Sequence, residues 1–192
     1  MQTLNVIRLA QQLLLPKIAN ATCIVDATAG NGKDTLFLAK NSPSHARLYA
    51  FDIQQSAIEV ARKGLLEQQL DDKVQWILDS HANSRLYVKE HIDVAMFNLG
   101  YLPGNSHETM TKATSTIEAV SNIVEDLSIG GIISVVAYPG HPHGQEEHQA
   151  VRSYLMGLSQ QCFTVVCMDM INHSHCPPIL YLIEKVKSTL DV

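Results

Sequence analysis

The stretch Val25-Asp26-Ala27-Thr28-Ala29-Gly30-Asn31-Gly32-Lys33-Asp34-Thr35 decides the fold. It reads as a buried strand, a glycine-rich turn and the start of a helix. Gly30 and Gly32 let the backbone come close to a ligand, and the first amides of the helix offer donors with a partial positive charge. A phosphate-cradling P-loop would need Gly at position 27 and Ser or Thr at position 34, where Ala27 and Asp34 stand. A dinucleotide fingerprint would need a third small residue where Thr35 stands, and Asp26 would set a carboxylate beside the pyrophosphate. An adenosyl ligand with an amino group, a sulfonium and no phosphate, S-adenosylmethionine, suits these acids.

The same pattern continues outward. Short apolar runs alternate with stretches of helical spacing, the signature of a parallel sheet covered on both faces. The predicted strands are Cys23–Ala27, Ala46–Phe51, Lys73–Leu78, Ile92–Asn98, Gly131–Tyr138, Phe163–Ile171 and Ile179–Glu184. Predicted helices cover Leu4–Leu15, ended with the help of Pro16, then Lys33–Lys40, Gln54–Leu70, Ala82–Glu90, Lys112–Leu127, stopped by Gly130-Gly131, and Gln145–Leu158. Only a loop, Asn172–Pro178, separates the last two strands, so they should pair antiparallel. The expected class is α/β, a Rossmann-like seven-stranded sheet, mostly parallel, with one antiparallel strand near the C-terminus. Residues 1–192 read as one domain.

Composition bounds the rest. The 192 residues are 46% hydrophobic and 17% charged, with 14 Lys plus Arg against 19 Asp plus Glu, a formal charge of -5. A chain of this size can bury roughly two-thirds of its unfolded surface without disulfides or a structural metal. Cys23, Cys162, Cys167 and Cys176 show no paired spacing, which suits a reduced, cytoplasmic setting. No apolar run approaches the ~18 residues of a membrane helix, and no export signal is legible at the start. The acidic balance argues against a non-specific nucleic-acid coat, since such binding rests on Lys and Arg neutralising phosphates, and leaves room for a local basic groove. Arg8, Lys17, Lys33, Lys40, Arg85, Lys89, Lys112 and Arg152 are scattered and form no basic stripe.

Three consecutive strand ends carry acids. Asp52, 26 positions after Asp26, ends the second strand and is placed to accept both ribose hydroxyls, with Gln54 just beyond it. The third strand ends Asp79-Ser80-His81, where the adenine amino group would lie. Any one of these acids alone could be a plain cap or turn residue; three beside a glycine-rich turn favour adenosyl binding. The cofactor set is Asp26, Thr28, Gly30, Asn31, Gly32, Asp34, Thr35, Asp52, Gln54, Asp79, Ser80, His81 and Asn98.

The fourth strand ends at Asn98 and opens into Leu99-Gly100-Tyr101-Leu102-Pro103-Gly104. Strand order reverses near the first and fourth strands in such sheets, so this loop should border the ligand crevice. An Asn there can accept hydrogen bonds from an amino group and aim its lone pair at a methyl donor. The element is comparable to the Asn-Pro-Pro-aromatic motif of base amino-methyltransferases, with Leu99-Gly100 in place of the two prolines. A turn that merely closes the sheet is the alternative.

Together with Tyr138-Pro139-Gly140-His141, Glu146-Glu147 and Pro177-Pro178 before Ile183-Glu184-Lys185, these motifs resemble one family along nearly the whole chain. It is the small class I methyltransferase family labelled "putative rRNA methylase", which is similar to the tRNA 5-(aminomethyl)-2-thiouridine methyltransferases. The resemblance implies methyl transfer from S-adenosylmethionine to the aminomethyl nitrogen of a modified wobble uridine, with a tRNA anticodon stem-loop as partner and a homodimer as assembly.

An alkylamine is largely protonated at neutral pH, so a base or a dry pocket is expected. His107, His141, His143, Glu146 and Glu147 are the candidates. The catalytic set is Asn98, Tyr101 and His141; Leu99, Gly100, Tyr101, His107, Tyr138 and His143 would meet the acceptor. His141-x-His143 and His173-x-His175-Cys176 fit no zinc spacing, and the chemistry needs no metal. Competing readings are methylation of rRNA or of a small amine, and a non-catalytic S-adenosylmethionine-binding subunit.

Overall fold

The computed structural model describes residues 5–100, 113–140, 142–174 and 176–189. Helices and strands alternate in the order α1 (Val6–Ile18), β1 (Cys23–Asp26), α2 (Lys33–Asn41), β2 (Arg47–Asp52), α3 (Gln55–Leu66), β3 (Val74–Leu78), α4 (Ser84–Tyr87), β4 (Ile92–Asn98), α5 (Ala113–Asp126), β5 (Leu127–Ala137), α6 (Pro142–Met156), β6 (Phe163–Met168) and β7 (Ile179–Lys185). The strands form one sheet in the order β3-β2-β1-β4-β5-β7-β6. β1 to β5 pair parallel, and β7 runs antiparallel to both β5 and β6. The expected mostly parallel sheet with one reversed strand is present.

Successive strand residues point to opposite faces, and the core divides accordingly. Ile24, Leu48, Ala50, Val94 and Met96 pack with Leu14 and Ile18 of α1, Leu38 of α2 and Leu65 of α3. Cys23, Val25, Phe51, Ala95 and Phe97 pack on the other face with Val120 and Ile123 of α5 and Val151 and Leu155 of α6. The N-terminal half of α1 adds a third cluster, in which Val6 and Ala10 meet Val136 and Leu180, with Tyr138 beside them. All five parallel strands therefore end at one edge, and the order reverses between β1 and β4, where such sheets hold ligands.

Several boundaries differ from the periodicity. Pro16 lies inside α1, which runs on to Ile18. Its missing N–H deprives only the carbonyl of Gln12, an exposed residue that water can serve. α5 ends at Asp126, and Gly130-Gly131 sits within β5 and does not stop a helix. A Cβ at Gly131 would lie 2.9 Å from the Ile92 carbonyl, so the glycine there permits close strand contact. The predicted helix from Ala82 to Glu90 is a single turn at Ser84–Tyr87, preceded by a 3-10 turn over His81–Asn83. α3 stops at Leu66, short of Leu70, as Gln69 takes a φ of 57°. β6 ends at Met168, not Ile171.

Candidate active site

The turn after β1 is held by its own acids. Asp26 is buried and spends both oxygens locally, accepting from the Thr28 N–H at 3.1 Å and from the Thr35 hydroxyl at 2.6 Å. Burial, with Asp34 nearby, pushes its carboxyl up to about 7. Thr35 is fully buried. This pair builds the turn from beneath. Gly30 and Gly32 take φ values of 51° and 78°, and Gly32, the N-cap of α2, has no side chain to cap the amides of the first turn. A Cβ on Gly32 would come within 2.7 Å of the Ala61 Cβ. Gly32 thus serves the packing of α2 on α3, a tertiary reason the turn alone does not reveal.

Asp52 at the end of β2 accepts from the Gly30 N–H at 2.8 Å and from the Gln54 N–H at 2.8 Å, one bond per oxygen. A carboxylate has about four lone-pair sites, so each oxygen keeps capacity for a hydroxyl donor. Asn31 is exposed at the rim. At the end of β3, Asp79 accepts from Asn83 at 2.9 Å and from the Tyr87 hydroxyl at 2.9 Å, and these bonds hold its carboxyl below the usual range. Ser80 caps the following turn through Ala82. His81 is buried behind this edge, with Nδ1 at 2.9 Å from the Ala27 carbonyl and its ring edge-on to Phe97. Since a carbonyl only accepts, Nδ1 carries the proton, and the buried Nε2 has no partner among the described residues.

Asn98 joins the other half of the crevice. Its backbone N–H donates to the Thr28 hydroxyl at 2.7 Å, tying the end of β4 to the turn after β1. Its side-chain Nδ2 donates to Asp34 Oδ2 at 3.3 Å, and its Oδ1 accepts from the Tyr138 hydroxyl at 2.8 Å. Asp34 Oδ1 in turn accepts from Gln11 Nε2 of α1 at 2.9 Å. Burial, and behind it the charge of Asp34, hold the Tyr138 phenol above its ordinary range, so it stays a donor. Gly100 takes a φ of 120° and lies against the Tyr138 ring.

The structure thus brings Thr28, Gly30, Asp34, Asp52, Asn98 and Tyr138 to one edge. Leu99, expected beside the acceptor, is 2% exposed and packs in the core. His143 is exposed at the start of α6, and Glu147 is buried against the Thr116 hydroxyl at 2.6 Å. Tyr101, His107 and His141 lie outside the described residues. Gln11 and Tyr87 escaped the sequence reading, because their partners Asp34 and Asp79 become neighbours only through folding. Among the described residues no three His, Cys, Asp or Glu side chains gather as a metal site would require.

Comparison with known proteins agrees with this fold. A family model described as "Putative rRNA methylase" matches residues 48–184. The chain belongs to this methyltransferase family. A chloroplastic tRNA (mnm(5)s(2)U34)-methyltransferase of Arabidopsis thaliana is 33% identical over 179 residues, 88% of this chain. The chain spans 65% of that plant protein's length. Among solved structures, a "putative rRNA-methylase" from Clostridium thermocellum is 40% identical with a TM-score of 0.93, covering 96% of this chain and 100% of its own. A "putative methyltransferase" from Streptococcus mutans, solved in complex with SAH, is 35% identical with a TM-score of 0.87, covering 96% of this chain and 99% of its own.

Proposed function

We propose that the protein methylates the aminomethyl nitrogen of 5-aminomethyl-(2-thio)uridine at the wobble position of tRNA, with S-adenosylmethionine as methyl donor. The observation that carries this reading is the Asn98 amide at the end of β4. Its carbonyl is oriented by Tyr138 and its NH2 by Asp34, beside a glycine-rich turn with an acid at the end of the neighbouring strand. The name of the Arabidopsis thaliana relative supports the choice of acceptor.

The residues present fit the cofactor. Asp52 keeps lone pairs for the ribose hydroxyls, the uncapped α2 N-terminus suits a carboxylate, and the buried Asp34 carboxylate favours a cationic neighbour. When bound, the cofactor supplies an electrophilic methyl group on a cationic sulfur. The chain's own work is to present a neutral amine in line with it. If the amine's pKa lies about two units above ambient, that neutral form costs about 2.7 kcal/mol. Asn98 Oδ1 accepts an amine N–H and aims the nitrogen lone pair, while a base or a dry pocket must remove the proton. Transfer would form the N–C bond as the methyl group leaves sulfur, and solvent or a base would take the proton from the resulting ammonium.

RNA is held through a few local contacts, since the formal charge is -5 and Lys17, Arg47, Arg62 and Arg85 already pair with acids. A cytoplasmic setting, which the unpaired cysteine spacing suits, and a homodimer, which the family resemblance implies, are part of the proposed function. The edge strand β6, with Val165 exposed near Met156 and Val166 exposed on the opposite face of the sheet, supports that contact. Nucleoside mass spectrometry of tRNA from cells lacking the gene tests the function. Accumulation of the unmethylated aminomethyl nucleoside is expected; an unchanged profile sinks the substrate assignment. The family description favours rRNA as the second reading, and in that case the missing methyl group would appear in rRNA digests.

A further inference from the structure

The geometry points to Gln11 and Asp34 as positioning residues that set which end of the Asn98 amide faces the acceptor; this rests on the reading of Asn98 given above. An Asn amide has two nearly isosteric orientations, one presenting an acceptor and the other a donor. Only the first can receive an amine N–H and leave the nitrogen lone pair free to attack. The choice must therefore be made by neighbours that distinguish NH2 from C=O.

Asp34 makes that distinction. A carboxylate only accepts, so the Asn98 group 3.3 Å from Asp34 Oδ2 is the NH2, and the carbonyl is turned to the other side. Tyr138 cannot decide alone, because a hydroxyl both donates and accepts and would satisfy either orientation. Its 2.8 Å contact to Oδ1 follows from the choice Asp34 has made. Asp34 is itself buried, at 6% exposure, and its second oxygen accepts from Gln11 Nε2 at 2.9 Å. Gln11 lies on α1, outside the turn that receives the cofactor, and α1 packs its Val6 and Ala10 beside Tyr138. The first helix thus reaches the acceptor residue by two routes, one apolar through Tyr138 and one polar through Gln11 and Asp34.

The test uses Gln11→Leu and Gln11→Glu in the full chain. Turnover is measured on tRNA from cells lacking the gene, together with cofactor affinity and the side-chain 15N–1H signals of Asn98, assigned by Asn98→Ala. Gln11→Leu should lower kcat about tenfold to a hundredfold, the worth of one hydrogen bond to a charged group. Cofactor affinity should stay within about twofold, and the Asn98 NH2 pair should broaden or move. In Gln11→Glu the new carboxyl can donate to Asp34 only when protonated. The ratio of its kcat to that of the wild type should therefore rise as pH falls, a behaviour no general loss of packing produces. Unchanged Asn98 signals and kcat in Gln11→Leu, or a pH-independent ratio in Gln11→Glu, overturn the inference. If tRNA is not methylated, the functional reading fails, and the Asn98 signals alone still decide whether Gln11 and Asp34 hold the amide.

Discussion

The Tyr138 hydroxyl and Asn98 Oδ1 meet at 2.8 Å where β5 and β4 end side by side. The bond joins two strand ends, so the carbonyl keeps one defined direction. Asn98→Ala should lower kcat at least a hundredfold while cofactor affinity holds, since it removes the group that aligns the nucleophile. Tyr138→Phe removes one neutral hydrogen bond, worth about 1 kcal/mol, and should cost roughly fivefold to tenfold in kcat. Steady-state kinetics with separate cofactor titration checks both; a loss confined to cofactor binding would refute the roles.

Asp52 links the second strand to the glycine-rich turn through Gly30 and receives Gln54 on its other oxygen. Asp52→Ala loses the ribose acceptor and loosens the turn together. Charge-assisted bonds contribute about 1.5–3 kcal/mol each, so calorimetry should show affinity for S-adenosylmethionine falling by more than about a hundredfold. Retained affinity would place the ribose elsewhere.

Asp26 couples stability to pH. An unfolded aspartate titrates near 3.8 and the buried Asp26 near 7, so between these values the native state holds a proton that the unfolded state has lost. Stability falls as pH rises through that window, by at most about 4 kcal/mol, and the whole penalty is present above pH 7. Asp26→Asn can still accept from Thr28 and can donate to Thr35. It should flatten the decline, which denaturant unfolding at pH 5 and pH 8 would register as a smaller difference than in the wild type.

Gly32 sits where a Cβ would reach 2.7 Å from Ala61 Cβ and 2.9 Å from its Cα, at a φ of 78°. Gly32→Ala must strain the backbone or push α2 from α3, at about 1–3 kcal/mol. A drop of several degrees in the thermal midpoint is expected, with weaker cofactor binding; an unchanged midpoint would show that α3 yields freely.

β6 closes the sheet with an open edge and exposed Val165 and Val166. If copies of the chain join there, Val166→Lys should shift the mass measured by light scattering towards the monomer. A dimer that survives this charge lies on another face.

Much of the fold is legible in the amino-acid sequence. The strand set, the antiparallel final pair and the edge that carries the acids follow from apolar periodicity and chain order, which are local signals. The errors sit where tertiary contacts override local preference. Gly130-Gly131 reads as a helix stop yet lies inside a strand, because Gly131 must clear the Ile92 carbonyl. Leu99 reads as part of the acceptor loop yet is drawn into the core.

The site divides in the same way. The sequence by itself determined the turn at Gly30 and Gly32, the acids Asp26 and Asp52, and Asn98 at the end of β4, because each belongs to a short motif on a strand end. Only the tertiary structure decided that Asp26 is buried within the turn and that Gly32 answers to Ala61. It alone brought Gln11, Asp34, Asn98 and Tyr138, from four separate segments, into one hydrogen-bonded chain. The physical reason is range. Periodicity and turn chemistry act over a few residues, whereas the Gln11 to Asp34 and Asn98 to Tyr138 bonds span 23 and 40 positions and exist only once the sheet has set its strand order.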